Sequence, residues 1–374
     1  MRALALTALI LTLTGCDPFA QPETMLDEYN ARLARVLDVD AELSPLPPAP
    51  RFPQSRDRLR DIEPISISMI DFLGLYGCDL QFVVGERNSI LGRVAHPLTR
   101  LDYERRFIVA AEVCAATLER ESLAERLIEA AEAKRQSLSD VAWNAVWSGR
   151  EIEHHFARSR GPLPVNLDRL QTSQSAQNAM LVQHHLSDLL NGQLEQDLGA
   201  LDAVYQRWTN DPMAGQALMS AILVTTRLND ASRLIEQRLD ERPLCPSGRP
   251  NQQAEILRNL FVAIYAGEVQ PYLSVVQRVR RELFPPLLAL AQLDEQGPGE
   301  AFQHYVAMVL DADTEASYWQ AFDQAIARHT QAWQSLLDQC GMTPADRHQT
   351  AYSPPPPTPP EPEPVITSPN GPHY

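Results

Sequence analysis

The sequence predicts an all-α protein, with a multi-helix, bundle-like body, a lipidated N-terminal tether and a disordered, proline-rich C-terminal tail. Apolar residues recur at helical spacing, and Val and Ile nowhere alternate with polar residues for long. Proline and glycine mark most of the expected breaks between helices. We therefore expect four parts, which are a signal peptide at 1–15, a tether at 16–55, a helical domain at 56–345 and a tail at 346–374.

The first residues have the pattern of an export signal. Arg2 precedes the apolar run Ala3–Leu13, which is too short to cross a bilayer because a spanning helix needs about 20 residues. Leu13-Thr14-Gly15-Cys16 resembles the lipobox, the cleavage and lipidation signal of bacterial lipoproteins. We expect cleavage before Cys16 and a lipid anchor on its thiol. The alternative is an ordinary secretory signal with an incidental cysteine.

Asp17 directly follows the predicted lipidation site. In well-known Gram-negative systems an aspartate at that position resembles a signal for retention in the inner membrane. The sequence therefore favours the inner membrane slightly over the outer membrane, with the body facing the periplasm.

The charge of the chain restricts its partners. Removal of residues 1–15, whose only charged side chain is Arg2, leaves 31 basic against 48 acidic residues, a balance of −17. Such a chain repels nucleic acid and anionic lipid headgroups. Lys134 is the only lysine, and no basic stripe with interleaved aromatics occurs. We expect no nucleic-acid partner.

The predicted helices follow one another from residue 25. A helix at 25–38 and a stiff proline-rich linker at 43–53 precede the body. An apolar stripe from Met69 to Val83 predicts a helix that Pro64 opens and Gly85 ends. A polar connector at 86–100 is expected next. Further helices are predicted at about 107–118, 121–135, 138–157, 174–209, 213–240, 252–266, 270–293, 299–310 and 314–340.

Residues from 351 onward differ from the body, since ten of these last 24 residues are proline. Such a segment favours polyproline II and carries too few apolar groups to fold. A solvated tail is the favoured interpretation, and docking in an aromatic groove of a partner is the alternative.

Four cysteines remain after Cys16, and an even number in an oxidising compartment predicts disulfides. Cys78 and Cys114 lie on consecutive predicted helices, which usually pack as antiparallel neighbours. Cys340 ends the last apolar stripe, and Cys245 lies in a turn that a bridge would fasten. We predict the pairs Cys78–Cys114 and Cys245–Cys340, with four buried free thiols as the alternative.

Histidine and acidic residues supply weak metal-site candidates. Glu151 and His154 have the i,i+3 spacing of di-iron bundles, but that site needs a second copy of the motif, which is missing. His155, His184 and His185 are better interpreted as surface residues. We expect no metal and no cofactor.

A second acidic motif looks like the start of a calcium loop. Asp311, Asp313 and Glu315 match the first ligand positions of that loop. The position that needs glycine is Ala316, and the position that needs glutamate is Phe322. We expect Asp313 to cap a helix instead.

His329 lies on the apolar stripe of the last predicted helix. A histidine on such a face is more often a hydrogen-bonded core residue than a catalyst. The sequence has no serine-hydrolase elbow, phosphate loop or dinucleotide fingerprint, so the catalytic residues are unknown.

The connector begins with Glu86-Arg87-Asn88-Ser89, the densest polar cluster between two apolar helices. Helix ending and capping explain these residues, since Asn88 and Ser89 suit turns. A recognition loop is the functional alternative.

Three short motifs carry a resemblance to a known family. They are Glu86-Arg87-Asn88-Ser89 with Leu91-Gly92, Gln270-Pro271-Tyr272-Leu273, and Cys340-Gly341. With them the chain resembles a family of Gram-negative lipoproteins catalogued as domain of unknown function 3080, over roughly residues 22–342. The resemblance implies no activity and supplies no catalytic residues.

These observations lead to one expected function and its alternatives. We expect a membrane-anchored lipoprotein that serves an envelope partner as a non-catalytic accessory or scaffold. The alternative is an enzyme or metal-binding helical protein acting on an envelope substrate. Binding of a small ligand between helices is a third hypothesis, and the ligand is unknown.

Overall fold

The computed structural model of the chain describes residues 21–65, 68–293 and 299–342. Within these ranges it consists of helices and their connections, without a β-strand, which confirms the predicted all-α class. The predicted signal peptide, Cys16, Asp17 and the proline-rich tail lie outside the described residues. No helix in the described ranges is long and apolar enough to cross a membrane.

The first half of the body contains mostly short helices. They are α1 (Pro22–Leu37), α2 (Ser55–Arg58), α3 (Met69–Leu73), α4 (Leu80–Asn88), α5 (Ile90–Arg93), α6 (Pro97–Ala115), α7 (Glu121–Gln136), α8 (Leu138–Trp147) and α9 (Arg150–His155).

The second half contains the longest helices. They are α10 (Arg169–Leu190), α11 (Gly199–Trp208), α12 (Met213–Glu241), α13 (Gln252–Leu260), α14 (Gln270–Ala291), α15 (Glu300–Tyr305) and α16 (Tyr318–Asp338). Two π-helical segments, Phe261–Val269 and Val306–Leu310, follow α13 and α15.

Helix α1 belongs to the core of the body. Tyr29, Leu33 and Leu37 on its apolar face are fully buried, and the helix packs on α12 and α13. The sequence analysis placed this helix in a tether ahead of the body, and the structure corrects that placement. An apolar stripe on one helix needs a partner surface, and α12 provides it.

The proline-rich segment after α1 is extended and lies against the body. The Ser44 hydroxyl donates to Asp230, and the Phe52 ring stacks on Phe156 with the ring centres 4.8 Å apart. Arg158 donates to the carbonyl of Ala49 at 2.5 Å. The segment is therefore a strap across the surface.

Helix α12 is the central element. It packs against α16, α1 and α14. The first and the last helix of the described residues therefore both contact α12. In the other part of the molecule α6 has the same role, with α4, α7 and α8 around it. This second group of helices positions the candidate site.

The helix predicted from Pro64 to Gly85 was wrong. A turn at 74–79 separates α3 from α4, and Gly77 in that turn has a φ of 91°, which favours glycine. Gly85 lies inside α4. The predicted connector at 86–100 contains the end of α4, all of α5 and the start of α6.

Two other predicted helices are each divided in the structure. The pattern at 174–209 forms α10 and α11, separated at Gly192, whose φ of 94° is left-handed. The pattern at 138–157 forms α8 and α9, with Ser148 and Gly149 between them. Apolar periodicity continued across both breaks and concealed them.

The break predicted near residue 268 is absent, because α13 continues into α14 through the π-helical segment. A proline ring in an α-helix clashes with the carbonyl four residues earlier, which for Pro271 is Gly267. The π-helical segment ends at Val269, directly before α14, and its wider turn accommodates a proline at the second residue of α14. Asp313 does not cap a helix either. The Ser317 side chain caps α16, and Asp311 binds the amide of Asp313.

The structure contains the disulfides Cys78–Cys114 and Cys245–Cys340, the pairing favoured from the sequence. The first joins the turn between α3 and α4 to α6, and the second joins the segment after α12 to the end of α16. Each bridge thus fixes a connection to a long helix.

Candidate functional site

His329 is a structural residue at the centre of a buried hydrogen-bond chain. Its Nε2 lies 2.7 Å from the Tyr29 hydroxyl, which accepts from Trp333 Nε1, and its Nδ1 lies 3.2 Å from the Ser232 hydroxyl. The Ser232 hydroxyl in turn donates to the Leu228 carbonyl. Burial lowers the pKa of His329 to about 3, so the ring is neutral at pH 7. The four side chains of this hydrogen-bond network are at most 2% exposed. In this conformation His329 therefore has no access to a substrate.

The residues weighed as metal-site candidates in the sequence analysis do not converge. Glu151 Oε2 lies 3.2 Å from His96 Nε2, while His154 is exposed. His155 was interpreted as a surface residue, and the structure corrects this, because its ring is buried against Trp208 and its Nδ1 lies 2.6 Å from the Asp211 carbonyl. Within the described ranges no group of three or more His, Cys, Asp or Glu residues could hold a metal ion.

The other two histidines weighed as metal-site candidates, His184 and His185, lie on α10. His184 is exposed with its Nε2 3.4 Å from Asp188, and His185 Nδ1 lies 2.9 Å from the Leu181 carbonyl. Their partners are local to their own helix, as expected for residues near a helix surface.

The segment 69–94, which contains α3, α4 and α5, carries an apolar surface that faces solvent. Helices α3 and α5 are described along their whole length and bury no residue. Eight large apolar side chains in this described segment are 64% to 88% exposed, namely Met69, Ile70, Leu73, Tyr76, Phe82, Ile90, Leu91 and Val94. We call them the α3–α5 surface. Monomeric proteins rarely expose contiguous apolar patches larger than a few hundred Å², and larger patches mark interaction sites.

A few inward-facing contacts hold this segment in place. Leu75, Leu80, Val83 and Val84 are buried, and the Cys78–Cys114 disulfide joins the segment to α6.

Ion pairs add to this attachment. Glu86 accepts two hydrogen bonds from Arg106, at 3.0 and 3.1 Å, and Asp71 accepts from Arg120 and Arg126 at 2.6 Å each. The α3–α5 surface is therefore presented outward by a segment that is fixed to the body.

The Glu86–Ser89 cluster forms the end of α4 and the joint with α5. The Ser89 hydroxyl accepts from the Gly92 amide at 3.0 Å and donates to the Glu86 carbonyl at 2.7 Å. A Cβ at Gly92 would lie 2.2 Å from that carbonyl, so only glycine allows this approach. Arg87 Nη1 donates to the Gly92 carbonyl at 2.9 Å. The geometry thus agrees with helix ending and capping, and a recognition role stays a prediction.

A cavity of about 270 Å³, which we call the α4 cavity, lies beneath Arg87 and Asn88. The extended segment 62–65 after α2, together with α4, α6 and α7, encloses it. Its polar lining consists of Glu63, Arg87, Asn88, Arg100, Tyr103, Glu104, Lys134 and Ser137. Lys134 donates to Glu104, and both side chains are almost fully buried. Burial also raises the pKa of the Tyr103 hydroxyl, which stays protonated.

The other two family motifs have structural roles. The Tyr272 hydroxyl donates within the core to the Leu163 carbonyl, 3.1 Å away, or to the Ser220 hydroxyl, 2.9 Å away. Cys340 forms its disulfide at the end of α16, and Gly341, with a φ of 63°, reverses the chain there.

The sequence analysis missed the α3–α5 surface. It assigned Met69, Leu73 and Tyr76 to the apolar stripe of a single helix with Leu80 and Val83. The available signal was the presence of Ile90, Leu91 and Val94 in a segment that was interpreted as a polar connector.

Comparison with known proteins gives one match. The model of a family described as "Protein of unknown function (DUF3080)" matches residues 26–344. No curated protein and no solved structure matches the chain.

Proposed function

The chain belongs to the family described as Protein of unknown function (DUF3080), and on that premise we propose that it is a membrane-anchored, periplasm-facing lipoprotein. It acts as a non-catalytic accessory or scaffold that holds an envelope protein through the α3–α5 surface. The lipobox at Leu13–Cys16 supports the anchor.

The single observation that carries this proposal is the exposure of the eight apolar side chains. Burying apolar surface stabilises a complex by roughly 25 cal/mol per Å² of area removed from water. Within the described residues the surface has no partner from its own chain, although the segment is fixed by a disulfide and ion pairs. A fixed apolar surface of this kind is typical of a protein–protein interaction site.

Charge favours a protein over a lipid surface as the occupant. Helices that bind membrane surfaces carry Lys and Arg on their polar face. Segment 69–94 instead carries three acidic residues against two basic ones, Arg87 and Arg93, and the mature chain has a balance of −17. The partner is therefore an envelope protein that presents an apolar face of its own.

Site-specific photocrosslinking in intact cells tests this interaction. A photoreactive residue in place of Tyr76 and, separately, of Ile90 should give the same crosslinked protein. Leu170 is a matched control, because it is 76% exposed on α10, outside the segment. A probe at Leu170 should not give that product.

The double variant Phe82→Ser with Leu91→Ser should abolish the crosslink from Tyr76 while the protein stays folded. Products that contain only lipid would assign the surface to the membrane, and products that contain a second copy would assign it to self-association. Either result, or the same products from Leu170, would overturn the proposed partner.

The anchor is tested separately by Cys16→Ala. The variant should accumulate as uncut or soluble protein, because lipid on Cys16 is the proposed attachment. If the variant still fractionates with membranes after a carbonate wash, the lipid is not the main attachment.

A further inference from the structure

We propose that the α4 cavity binds a phosphate group. This inference does not depend on the α3–α5 surface or on the lipid anchor. It rests on the donor groups that three helices bring together, on one buried nitrogen without an acceptor, and on the size of the cavity.

The lining of the cavity contains an excess of hydrogen-bond donors and positive charge. Arg87, Asn88, Arg100, Tyr103 and Lys134 all contribute donors. They come from α4, α6 and α7, and they therefore surround the cavity from different directions. The chain as a whole is acidic, so a concentration of three cations around one cavity runs against its overall charge.

The lining contains two carboxylates, Glu63 and Glu104, against three cations, so it carries one excess positive charge. Glu104 is the inner carboxylate, and Lys134 already donates to it. Glu63 is an exposed residue of segment 62–65, where solvent screens its charge. An anion that entered the cavity would meet Arg87 and Arg100 with no second buried carboxylate to oppose it.

Arg100 supplies the most direct evidence for a missing acceptor. Its Nε is buried, yet it makes no hydrogen bond to any described residue. The nearest carboxylate oxygen, Glu104 Oε1, is 3.9 Å away, beyond hydrogen-bond distance. The Arg100 side chain as a whole is 37% exposed, so the group that lacks an acceptor is this buried Nε, and an anion in the cavity would supply one.

The arrangement of the donors favours phosphate over a carboxylate. A carboxylate offers two oxygens in one plane, whereas a phosphate offers oxygens in several directions, which suits donors from three helices. Arginine forms charge-assisted, bidentate hydrogen bonds with phosphate oxygens. A volume of about 270 Å³ holds a phosphate with a small substituent but is below the usual range for drug-sized ligands. Free phosphate, a small phosphate ester and a lipid headgroup share this chemistry.

The test is calorimetric titration of the full chain in detergent with inorganic phosphate at low ionic strength. Binding should weaken as salt is added, because the interaction is ionic. Arg100→Gln should raise the dissociation constant about tenfold or more, the expected loss of one charge-assisted hydrogen bond. Arg93→Gln, an exposed residue outside the lining, removes the same charge and should leave binding unchanged.

If Arg100→Gln fails to fold, Asn88→Ala replaces it, because Asn88 is exposed at the mouth of the cavity and its loss should still weaken binding. A parallel titration with dihexanoyl phosphatidic acid separates sources, since a lipid headgroup site binds it more tightly than inorganic phosphate. Absence of binding by both probes, equal competition by acetate, or an equal effect of Arg93→Gln would overturn the proposal.

Discussion

The interior around His329 and the segment 69–94 are built from similar side chains, and a disulfide fastens a connection beside each. In the interior, α1, α12 and α16 bury Tyr29, Phe322 and Trp333 to 2% exposure or less. In the segment, Tyr76 and Phe82 are 88% and 76% exposed. Large apolar residues are therefore buried in one region and exposed in the other. Core packing explains those of the interior, but it does not explain those of the segment.

The interior around His329 and the segment 69–94 are stabilised in different ways. In the interior, Trp333, Tyr29, His329 and Ser232 satisfy one another in a single hydrogen-bond chain. The segment has few buried residues, and the Cys78–Cys114 bridge and its ion pairs compensate for that. We infer that the interior maintains the fold, whereas the segment presents a surface.

The largest expected effects come from the two disulfides. Replacing both Cys245 and Cys340 by Ser should lower the free energy of unfolding by about 5 kcal/mol, and replacing Cys78 and Cys114 by about 4 kcal/mol, on the chain-entropy model. Their loops span 95 and 36 residues. The regions should differ in hydrogen exchange, because loss of the Cys78 bridge should expose amides of 69–94 first. Equal loss of protection in α12 would show that the segment is part of the same cooperative unit.

A matched pair of phenylalanine substitutions tests the same contrast. Phe322→Ala should cost about 3–5 kcal/mol, because it leaves a cavity in the core. Phe82→Ala should change stability by less than about 0.5 kcal/mol, because the side chain is exposed. Chemical denaturation at pH 7 measures both. A loss of more than 2 kcal/mol for Phe82→Ala, on the scale of core substitutions, would show that its ring packs on the body.

The interior should also respond to acid through His329. Its pKa is about 3 in the folded chain and about 6.5 when unfolded, so the unfolded state binds more protons between these values. The stability that His329 contributes is present above pH 6.5 and is lost as pH falls towards 3. In His329→Gln the pH dependence should be shallower by up to about 1.4 kcal/mol per pH unit. The exposed His184→Gln is the control, and an equal change in its slope would contradict this assignment.

A small effect on stability is also expected when two side chains of the α3–α5 surface are changed together. Phe82→Ser with Leu91→Ser should alter the unfolding free energy by less than about 1 kcal/mol, since both side chains face solvent. The same variant should bind less of a fluorescent apolar dye. Unchanged dye binding would mean that the surface does not act as one apolar patch.

Much of the fold could be predicted from periodicity. Helices α7 and α12 lie where the sequence analysis predicted helices at 121–135 and 213–240, and both disulfide pairs agree with it as well. Periodicity reports which residues are apolar but not what covers them. Met69, Leu73 and Tyr76 continue a helical stripe, yet the turn at 74–79 directs them to solvent.

The candidate sites depended on tertiary structure. Arg87, Arg100 and Lys134 lie on three helices, and nothing in their local sequence brings them together. The motif Glu86–Ser89 was noticed for its polarity, whereas its geometry comes from the approach of Gly92 to the end of α4. Sequence patterns therefore located the region but could not show the cavity beneath it.

The burial of α1 in the core has a consequence for how far the protein can act from its membrane. Five residues, 17–21, separate Cys16 from the first residue of α1. A chain of this length spans roughly 20 Å when fully extended. On the proposed anchor, the start of α1 stays within that distance of the lipid headgroups. A short link of this kind confines the body to a thin layer and raises the effective concentration of any partner in the same layer. Partners in or directly above the same bilayer are then favoured over those deeper in the periplasm.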